Sequence, residues 1–217
     1  MPSYGTIDEE YRSRLTTVPR DDDGPLLMVN FMKYRERADY GGGDDRGLTG
    51  READDAYSPV EILADLGATI VFFGEVEPGG EWDRVAIVRY PTRRSFIEMQ
   101  DREDFQDKHV HKEAGMERTI ICGTLPEKAP PGDGAPVPGG RVVFELVGPG
   151  AELSLEGAGR LRVEGTIVGD GRRFTRLGVS WTAVGEKPPA ASRERVVAVV
   201  KPLLDVLRRE FAAASAG

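Results

Sequence analysis

Between Gly24 and Leu125 the sequence alternates apolar strand-like runs with helix-like segments in the order strand, helix, strand, strand, helix, strand. The predicted strands cover residues 24–34, 67–77, 82–91 and 117–125, and the predicted helices cover residues 59–66 and 92–114. This order is typical of the βαββαβ plait, an open antiparallel sheet with both helices on one face. Because the first strand is apolar on both sides, the other face of the sheet must also be covered. We therefore predict an α+β fold in which a second sheet covers that face and encloses a small-molecule pocket.

The regions around this unit differ in composition. Residues 1–23 are polar, although the spacing of Tyr11 and Leu15 allows one short helix. Residues 126–140 contain five prolines and four glycines, a composition that predicts a linker. We therefore divide the chain into an N-terminal extension, a βαββαβ domain over residues 24–125, the linker, and a C-terminal part over residues 141–217.

The C-terminal part partly repeats the first pattern. Strands are predicted near residues 141–148, 160–169 and 173–185, and Gly165-Thr166-Ile167 falls where Gly74-Glu75-Val76 lies in the first copy. Apolar residues at helical spacing predict a helix over residues 192–214, interrupted by Pro202. We interpret this part as a degenerate second copy that lacks the first helix and the fourth strand. An independent C-terminal domain is the alternative.

The composition excludes several classes of protein. The formal net charge is −8 and the basic residues are scattered, whereas nucleic-acid binding requires clustered lysine and arginine. No apolar run approaches the roughly 20 residues that cross a bilayer, and residues 1–14 do not resemble a signal peptide. The single cysteine, Cys122, lies inside a predicted strand, which indicates a buried thiol and favours a cytoplasmic protein.

The connection over residues 35–56 is unusually long and contains the triple glycine Gly41–Gly43. Loops of this length are usually functional lids or plain surface segments, and we prefer a mobile flap. No phosphate-binding loop is predicted because no Gly-Lys-Ser/Thr follows the glycines. Tyr40 and Tyr57 flank the connection, where they can close over a ligand or simply contribute to packing.

Only two histidines are present, His109 and His111, and both fall on the second predicted helix. Two residues apart on a helix, they point to nearly opposite sides, so they cannot bind one metal ion together. By spacing, His109 is a packed helix residue in line with Phe105. His111 follows Asp107 by four residues, so that carboxylate either orients its ring or pairs with it on the surface.

Two further polar residues interrupt apolar strands. Asn30 lies within the first strand, where its amide either hydrogen-bonds a substrate carbonyl or satisfies nearby backbone groups. Arg89 alternates with Val85 and Ile87, so it is either solvated or paired at the end of the sheet, or directed at an anionic substrate group.

Several of these segments carry a family resemblance. The runs RLTTVPRDDDGPLLMVNFMKYRERADY, GLTGREADDAY, GATIVFFGEV, WDRVAIVRYP and HKEAG occur in this order. Over roughly residues 11–125 the chain resembles the DUF1330 family of ferredoxin-like, dimeric α+β barrel proteins. That resemblance implies a barrel built from two chains or from two halves of one chain. It also favours His111 as a functional residue, because the family pattern places a histidine followed by a basic residue and alanine there.

These observations predict a cofactor-independent enzyme that performs proton transfer, cyclisation or oxygenation on a carbonyl-bearing substrate. His111 would be the acid or base and Asn30 the polarising donor. Arg89, Tyr40, Tyr57 and His109 would contact the substrate. A non-catalytic small-molecule-binding or assembly module is the alternative, and a haem-binding barrel, with His109 or His111 as the iron ligand, is a weaker one.

Overall fold

The computed structural model describes residues 4–131, 139–183 and 187–215. The strands are β1 (Thr6–Ile7), β2 (Leu26–Tyr34), β3 (Thr69–Val76), β4 (Arg84–Tyr90), β5 (Met116–Lys128), β6 (Arg141–Val147), β7 (Gly159–Gly169), β8 (Arg176–Thr182) and β9 (Arg195–Asp205). The helices are α1 (Glu9–Thr17), α2 (Gly50–Tyr57), α3 (Val60–Asp65), α4 (Arg93–Asp101), α5 (Glu103–Gly115) and α6 (Arg208–Ser215).

Eight of the strands form one closed antiparallel barrel. The order is β7-β5-β2-β4-β3-β9-β6-β8, and β8 pairs with β7 to complete the circle. The short β1 adds to the outer side of β7. The C-terminal third therefore completes the barrel within a single chain, and the α+β class predicted from the sequence is confirmed.

In the first half the strands and helices follow the predicted order. The strands lie in the order β5-β2-β4-β3, and the helices occupy both long connections. The second predicted helix divides into α4 and α5 at Arg102, and Thr92 caps α4 through Ser95 N. One helix is absent from the sequence-based prediction: residues 50–57 form α2 rather than continuing the long loop. The short helix predicted from Tyr11 and Leu15 is present as α1, and both side chains are buried.

In the second half, β9-β6-β8-β7 repeats the strand order of the first half. The helix predicted over residues 192–214 is wrong, because residues 195–205 form β9 and only residues 208–215 are helical. The fourth strand of the second copy, which we expected to be missing, is therefore this β9. The two connections of the second half that correspond to the helical ones of the first contain no helix over their described residues, 148–158, 183 and 187–194.

Residue chemistry explains why β9 is a strand. Four of its residues are valine, and β-branched side chains favour extended backbone. Val196, Ala198 and Val200 alternate toward the barrel interior. Pro202 pairs with Gly74 at a register shift beyond the last residue bonded to β6, a position that tolerates its missing N–H.

The interior of the barrel is filled with apolar side chains. Leu27, Val29 and Phe31 of β2 meet Phe144 and other residues of the second half in one buried cluster. Phe144 packs edge-on against Phe31 and Phe72, with centroid separations of 6.4 Å and 4.9 Å. Leu207, just before α6, and Phe211 of α6 belong to the same cluster. The predicted pocket between the two sheets is therefore wrong, because facing side chains from the two halves occupy that space.

The outer faces of the two halves are covered differently. Helices α2 to α5 cover the outer face of the first half, where Met28, Met32 and Tyr90 belong to a second buried cluster. On the second half, Glu145 of β6 is fully buried and accepts hydrogen bonds from Ser154 N, Ser154 Oγ and Leu155 N. This carboxylate fastens residues 148–158 to the sheet.

Two loops lie close to their predicted positions. The long connection covers residues 35–49, and Ala38 N donates to Leu48 O at 2.9 Å. At the predicted linker, Pro126 to Lys128 extend β5, and residues 132–138 lie outside the described residues. The division of the chain at this linker stays a prediction.

Candidate ligand-binding cavity

A cavity of about 600 Å³ lies between the outer face of the first half and its helices. The sheet contributes Met28 and Asn30 from β2, Ile70 and Phe73 from β3, and Ala86 and Val88 from β4. Two strands of the second half also line the cavity, β7 through Ile167 and Val168, and β9 through Leu203 and Leu204. The lining is mostly apolar, so the cavity suits an organic molecule with few polar groups.

A close contact between two glycines positions the helices that carry the polar residues of the cavity. A Cβ atom at Gly115 would collide with the carbonyl oxygen of Gly50. Without side chains at these positions, the start of α2 lies directly against the end of α5. The carboxylate of Asp54 and the ring of Tyr57 are thereby brought beside His109 and Lys112.

His109 of α5 lies in the cavity wall. Its Nε2 is 2.9 Å from the hydroxyl of Tyr4, and its ring stacks on Phe105 with a centroid separation of 5.4 Å. Burial, with a smaller effect from the Lys112 cation, lowers the pKa of His109 to about 4. The imidazole is therefore neutral near neutral pH and presents one N–H donor and one nitrogen acceptor.

Lys112 lies one turn after His109 on the same face of the helix. Its side chain is buried, 8% of the residue being exposed, and its Nζ lies 5.2 Å from the centroid of the Tyr57 ring. No carboxylate among the described residues lies within 4.0 Å of Nζ. Burial lowers the pKa of the Lys112 amine, and the more distant Asp54 raises it by a smaller amount.

The carboxylates at this end of the cavity are engaged by an arginine. Arg84 of β4 is buried, and its Nη1 lies 3.1 Å from Asp54 and 2.8 Å from Asp55. The same guanidinium reaches Glu75 at 3.1 Å. Asp54 also accepts a hydrogen bond of 2.6 Å from the hydroxyl of Tyr34. The single positive charge of Arg84 is thus shared among three carboxylates, and the close contacts of Asp54 are with Arg84 and Tyr34 rather than with Lys112.

Two predicted residues, Asn30 and Tyr57, line the cavity together with His109. The Nδ2 of Asn30 donates to Met28 O at 3.2 Å, which leaves its second amide hydrogen and its Oδ1 for a ligand. Tyr57 contacts both Phe105 and His109 edge-on. Burial raises the pKa of Tyr57 well above its usual value, so its hydroxyl stays protonated and can donate a hydrogen bond.

The other predicted residues lie elsewhere. Nδ1 of His111 is 2.8 Å from the hydroxyl of Tyr40, and neither residue lines the cavity. The Arg46 guanidinium lies over the Tyr40 ring at 3.9 Å. Arg89 points to the barrel end and pairs with Glu210 of α6 at 3.1 Å. The structure therefore brings together Asn30, Tyr57 and His109, while the catalytic role of His111 stays a prediction.

Sequence reasoning missed several residues of the cavity, above all Tyr4, Asp54 and Lys112. A signal for Asp54 was present: Thr49 and Glu52 have the spacing of a capping box, which the structure contains. That motif predicts a helix from Gly50 and places Asp54 on it. Lys112 fell in line with His109 on the helix, yet nothing local indicated that its amine would be buried. Tyr4 lies 105 residues before its hydrogen-bond partner His109.

Two features were not found among the described residues. They contain no group of three or more histidine, cysteine, aspartate or glutamate side chains arranged to hold a metal ion. None of the helices in the described part of the chain has the length and apolar character that a bilayer crossing needs. Cys122 is buried near the hydroxyl of Thr166, and burial raises the pKa of its thiol to about 12.

Comparison with solved structures finds similar folds at low sequence identity. The RPA0582 protein of Rhodopseudomonas palustris, described as a protein of unknown function, is 27% identical and superposes with a TM-score of 0.51. That match covers 59% of this chain and 98% of the other. Chlorite dismutase from Candidatus Nitrospira defluvii, solved with imidazole, is 11% identical with a TM-score of 0.46, over 93% of this chain and 99% of that one.

No protein-family model and no curated protein sequence matches the chain. The resemblance to DUF1330 proteins is therefore not confirmed by a family match. The fold and the geometry together define an α+β barrel protein. Strands of a single chain close the barrel, and an apolar cavity lies beneath the helices of its first half.

Proposed function

We propose that this protein is a small-molecule enzyme of the dimeric α+β barrel type that acts, without a cofactor, on an apolar carbonyl compound bound beneath the helices. Membership of the DUF1330 family, which the sequence resemblance suggests, is part of this proposal. The observation that carries it is the buried pair of His109 and Lys112 in the wall of an apolar cavity of about 600 Å³. Titratable groups with perturbed pKa values in such a cavity are typical of active sites.

The cavity offers hydrogen-bond donors for a carbonyl oxygen. A neutral imidazole with a lowered pKa is a poor base but an effective hydrogen-bond donor. The N–H of His109, the free amide hydrogen of Asn30 and the hydroxyl of Tyr57 all come from the cavity lining. Donors in an apolar cavity stabilise negative charge that develops on oxygen more strongly than donors in water do.

The amine of Lys112 supplies the basic group. Because burial disfavours its charged form, a larger fraction of this amine is neutral than for a lysine in water. A neutral amine beside a polarised carbonyl can accept a proton from the adjacent carbon. Tyr4 holds the His109 ring in place through the hydrogen bond to Nε2. The reaction class that this arrangement supports best is proton transfer next to a carbonyl group.

Ligand binding is tested first, by thermal unfolding in the presence of small aromatic aldehydes, ketones and alcohols. A ligand at about one hundred times its dissociation constant adds about 2.7 kcal/mol of stability, a shift of several degrees in Tm. Ala86→Phe fills the cavity wall and is expected to abolish the shift. Ala212→Phe on the exposed face of α6 is the matched control. Equal shifts in both variants would contradict binding in this cavity.

The two histidines then separate the candidate mechanisms. With a substrate found by the screen, His109→Gln is expected to lower kcat by about a hundredfold, the usual effect of losing a polarising donor. The matched variant is His111→Gln. A loss confined to His111→Gln would reject the proposed role of His109 and support the role predicted from the sequence.

A binding protein without catalysis is the second candidate. It is favoured by the exposed apolar side chains near the cavity, Val60, Leu203 and Leu204, which are 54%, 59% and 41% exposed. This function predicts a ligand-dependent Tm shift that Ala86→Phe abolishes, together with no product from any compound that binds.

A further inference from the structure

Lys112 differs from the other lysines in its environment. The Nζ of Lys33 pairs with Asp83 at 2.8 Å, and the Nζ of Lys108 donates to Ser58 O at 3.3 Å. Lys201 and Lys128 are exposed. Lys112 alone among the described lysines is buried and lines the cavity, with neither a carboxylate within 4.0 Å nor a hydrogen-bonded acceptor.

A structural role does not account for this amine. Buried lysines that stabilise a fold are paired or hydrogen-bonded, since an unpaired buried charge is strongly destabilising. Asp54, the carboxylate whose charge acts on Lys112, is already engaged by Arg84 and by the hydroxyl of Tyr34. The Tyr57 ring beneath Nζ satisfies no N–H group in the way that a carboxylate would.

The position of Lys112 suits a nucleophile. A desolvated lysine is a better nucleophile because more of it is unprotonated, and its target is then a carbonyl carbon. His109, one turn earlier on the same face, lies within roughly 5–6 Å at the Cβ atoms. Its Nε2 is engaged by Tyr4, so the other ring nitrogen, Nδ1, is the atom that can accept a proton from the amine and pass it to the carbonyl oxygen.

We propose that Lys112 forms an imine with an aldehyde or ketone bound in the cavity. This inference rests on the proposed function and narrows its substrate class to compounds with a free, unhindered carbonyl group, and it replaces the role of Lys112 as a free base with covalent binding of the substrate. It also assigns Lys112 as a catalytic residue, because its Nζ becomes covalently bound to the substrate.

The bonds and protons of this step balance. The Nζ lone pair forms a C–N bond as the carbonyl π bond breaks, and one Nζ proton moves to the oxygen. The resulting hydroxyl group leaves with the second Nζ proton, carried by His109, as the C=N bond forms. Both Nζ protons and the carbonyl oxygen thus leave as one water molecule, and no oxidant or reductant is needed. Addition of water reverses the step and frees the lysine.

Reductive trapping tests the imine with the full-length protein. Benzaldehyde is the probe, sodium cyanoborohydride reduces any imine to a stable benzylamine, and peptide mass spectrometry locates the benzyl group. Burial lowers the pKa of Lys112, which raises the neutral fraction of its amine, and this residue lines the cavity that binds the probe. We therefore expect Lys112 to be labelled severalfold faster than Lys108, which lies one turn away on the same helix.

Two variants and two further compounds give the controls. Lys112→Arg keeps a cation but cannot form an imine, so the fast labelling should disappear while Lys108 labels as before. Ala86→Phe should slow labelling of Lys112 by blocking the cavity. Benzyl alcohol measures binding without a carbonyl, and benzoate measures binding of an anion to a charged lysine.

The outcomes separate this inference from the proposed function. If the labelling rates of the lysines simply follow their exposure, and Lys112 is labelled no faster than Lys108, the proposal of an imine at Lys112 is overturned. If benzyl alcohol still raises Tm and Ala86→Phe abolishes that shift, the cavity function stands without it. Tighter binding of benzoate than of benzyl alcohol, combined with slow labelling, assigns Lys112 to anion binding instead and also overturns the imine.

Discussion

The two halves of this barrel have the same strand order, but the polar groups on their outer faces are satisfied to different degrees. Each first strand, β2 and β6, sends alternate apolar residues into the shared interior and carries a polar residue in the middle of its outer side. In β6 this residue is Glu145, which accepts hydrogen bonds from three donors and forms an ion pair with Arg195 at 2.9 Å. In β2 it is Asn30, which makes one hydrogen bond to its own strand and faces the cavity.

The difference shows how one architecture can support structure on one side and binding on the other. A loop closes over Glu145 and donates hydrogen bonds to its carboxylate, so this polar group is fully used in stabilising the fold. Helices standing off the first sheet leave Asn30, His109 and Lys112 partly unsatisfied around an open volume. Incomplete satisfaction of buried polar groups destabilises a fold, and such groups persist mainly at functional sites.

The largest expected effect is on the free energy of unfolding, when the polar residue on the outer face of each half is replaced. Glu145→Ala leaves Arg195 and the donors of residues 154 and 155 without their acceptor, and should lower the free energy of unfolding by roughly 3–5 kcal/mol. Asn30→Ala should cost about 1 kcal/mol or less. Urea unfolding followed by far-UV circular dichroism measures both. Equal costs would mean that Asn30 is as structural as Glu145.

The next effect compares an interior phenylalanine with a cavity-lining one. Phe31→Ala creates a hole among Trp82 and Phe144 in the filled interior and should cost about 3–5 kcal/mol. Phe73→Ala only widens an existing cavity, so we expect about half that cost or less. The same urea titrations measure the pair. A larger loss for Phe73→Ala would contradict a filled interior and a hollow outer side.

The third effect is the pH dependence that His109 brings to the first half. Its pKa of about 4 in the native protein lies below the ordinary value of 6.5, so the unfolded chain binds the proton more readily. This contribution to stability is complete above 6.5 and is lost as the pH falls toward 4. Because the ring is partly exposed, we expect a loss on the order of 1 kcal/mol.

Urea unfolding at several pH values across this window measures that loss. His109→Gln should remove it, whereas His111→Gln should leave it in place. A pH dependence that survives in His109→Gln would show that another group is responsible.

The smallest effect asks whether the second half takes part in binding. Leu204→Ala on β9 removes an apolar side chain from the cavity wall, and should weaken a ligand found by the thermal screen about fivefold. Its effect on the free energy of unfolding should stay within about 0.5 kcal/mol. Val110→Ala on α5 is the control, with an exposed valine outside the cavity. Unchanged affinity in Leu204→Ala would restrict the site to the first half.

Particular elements show where sequence reasoning succeeded. The apolar run of β2 and the turn glycines between β3 and β4 predicted the first half because each signal is local. The opposed directions of His109 and His111 also follow from helix geometry alone. The error over residues 192–214 has a local cause too. Apolar residues in that run satisfy both the helical and the strand period, and pairing of β9 with β3 and β6 decided between them.

By itself, the sequence determined the α+β class, the strands of the first half, and which residues share a side of each strand. Only the tertiary structure decided which side of β2 is filled and which is hollow. Both sides of that strand are apolar, so the pattern cannot distinguish a face that meets another sheet from a face that supports helices. The burial of Lys112 and the contact of Tyr4 with His109 were decided in the same way, because they depend on segments far apart in the chain coming together.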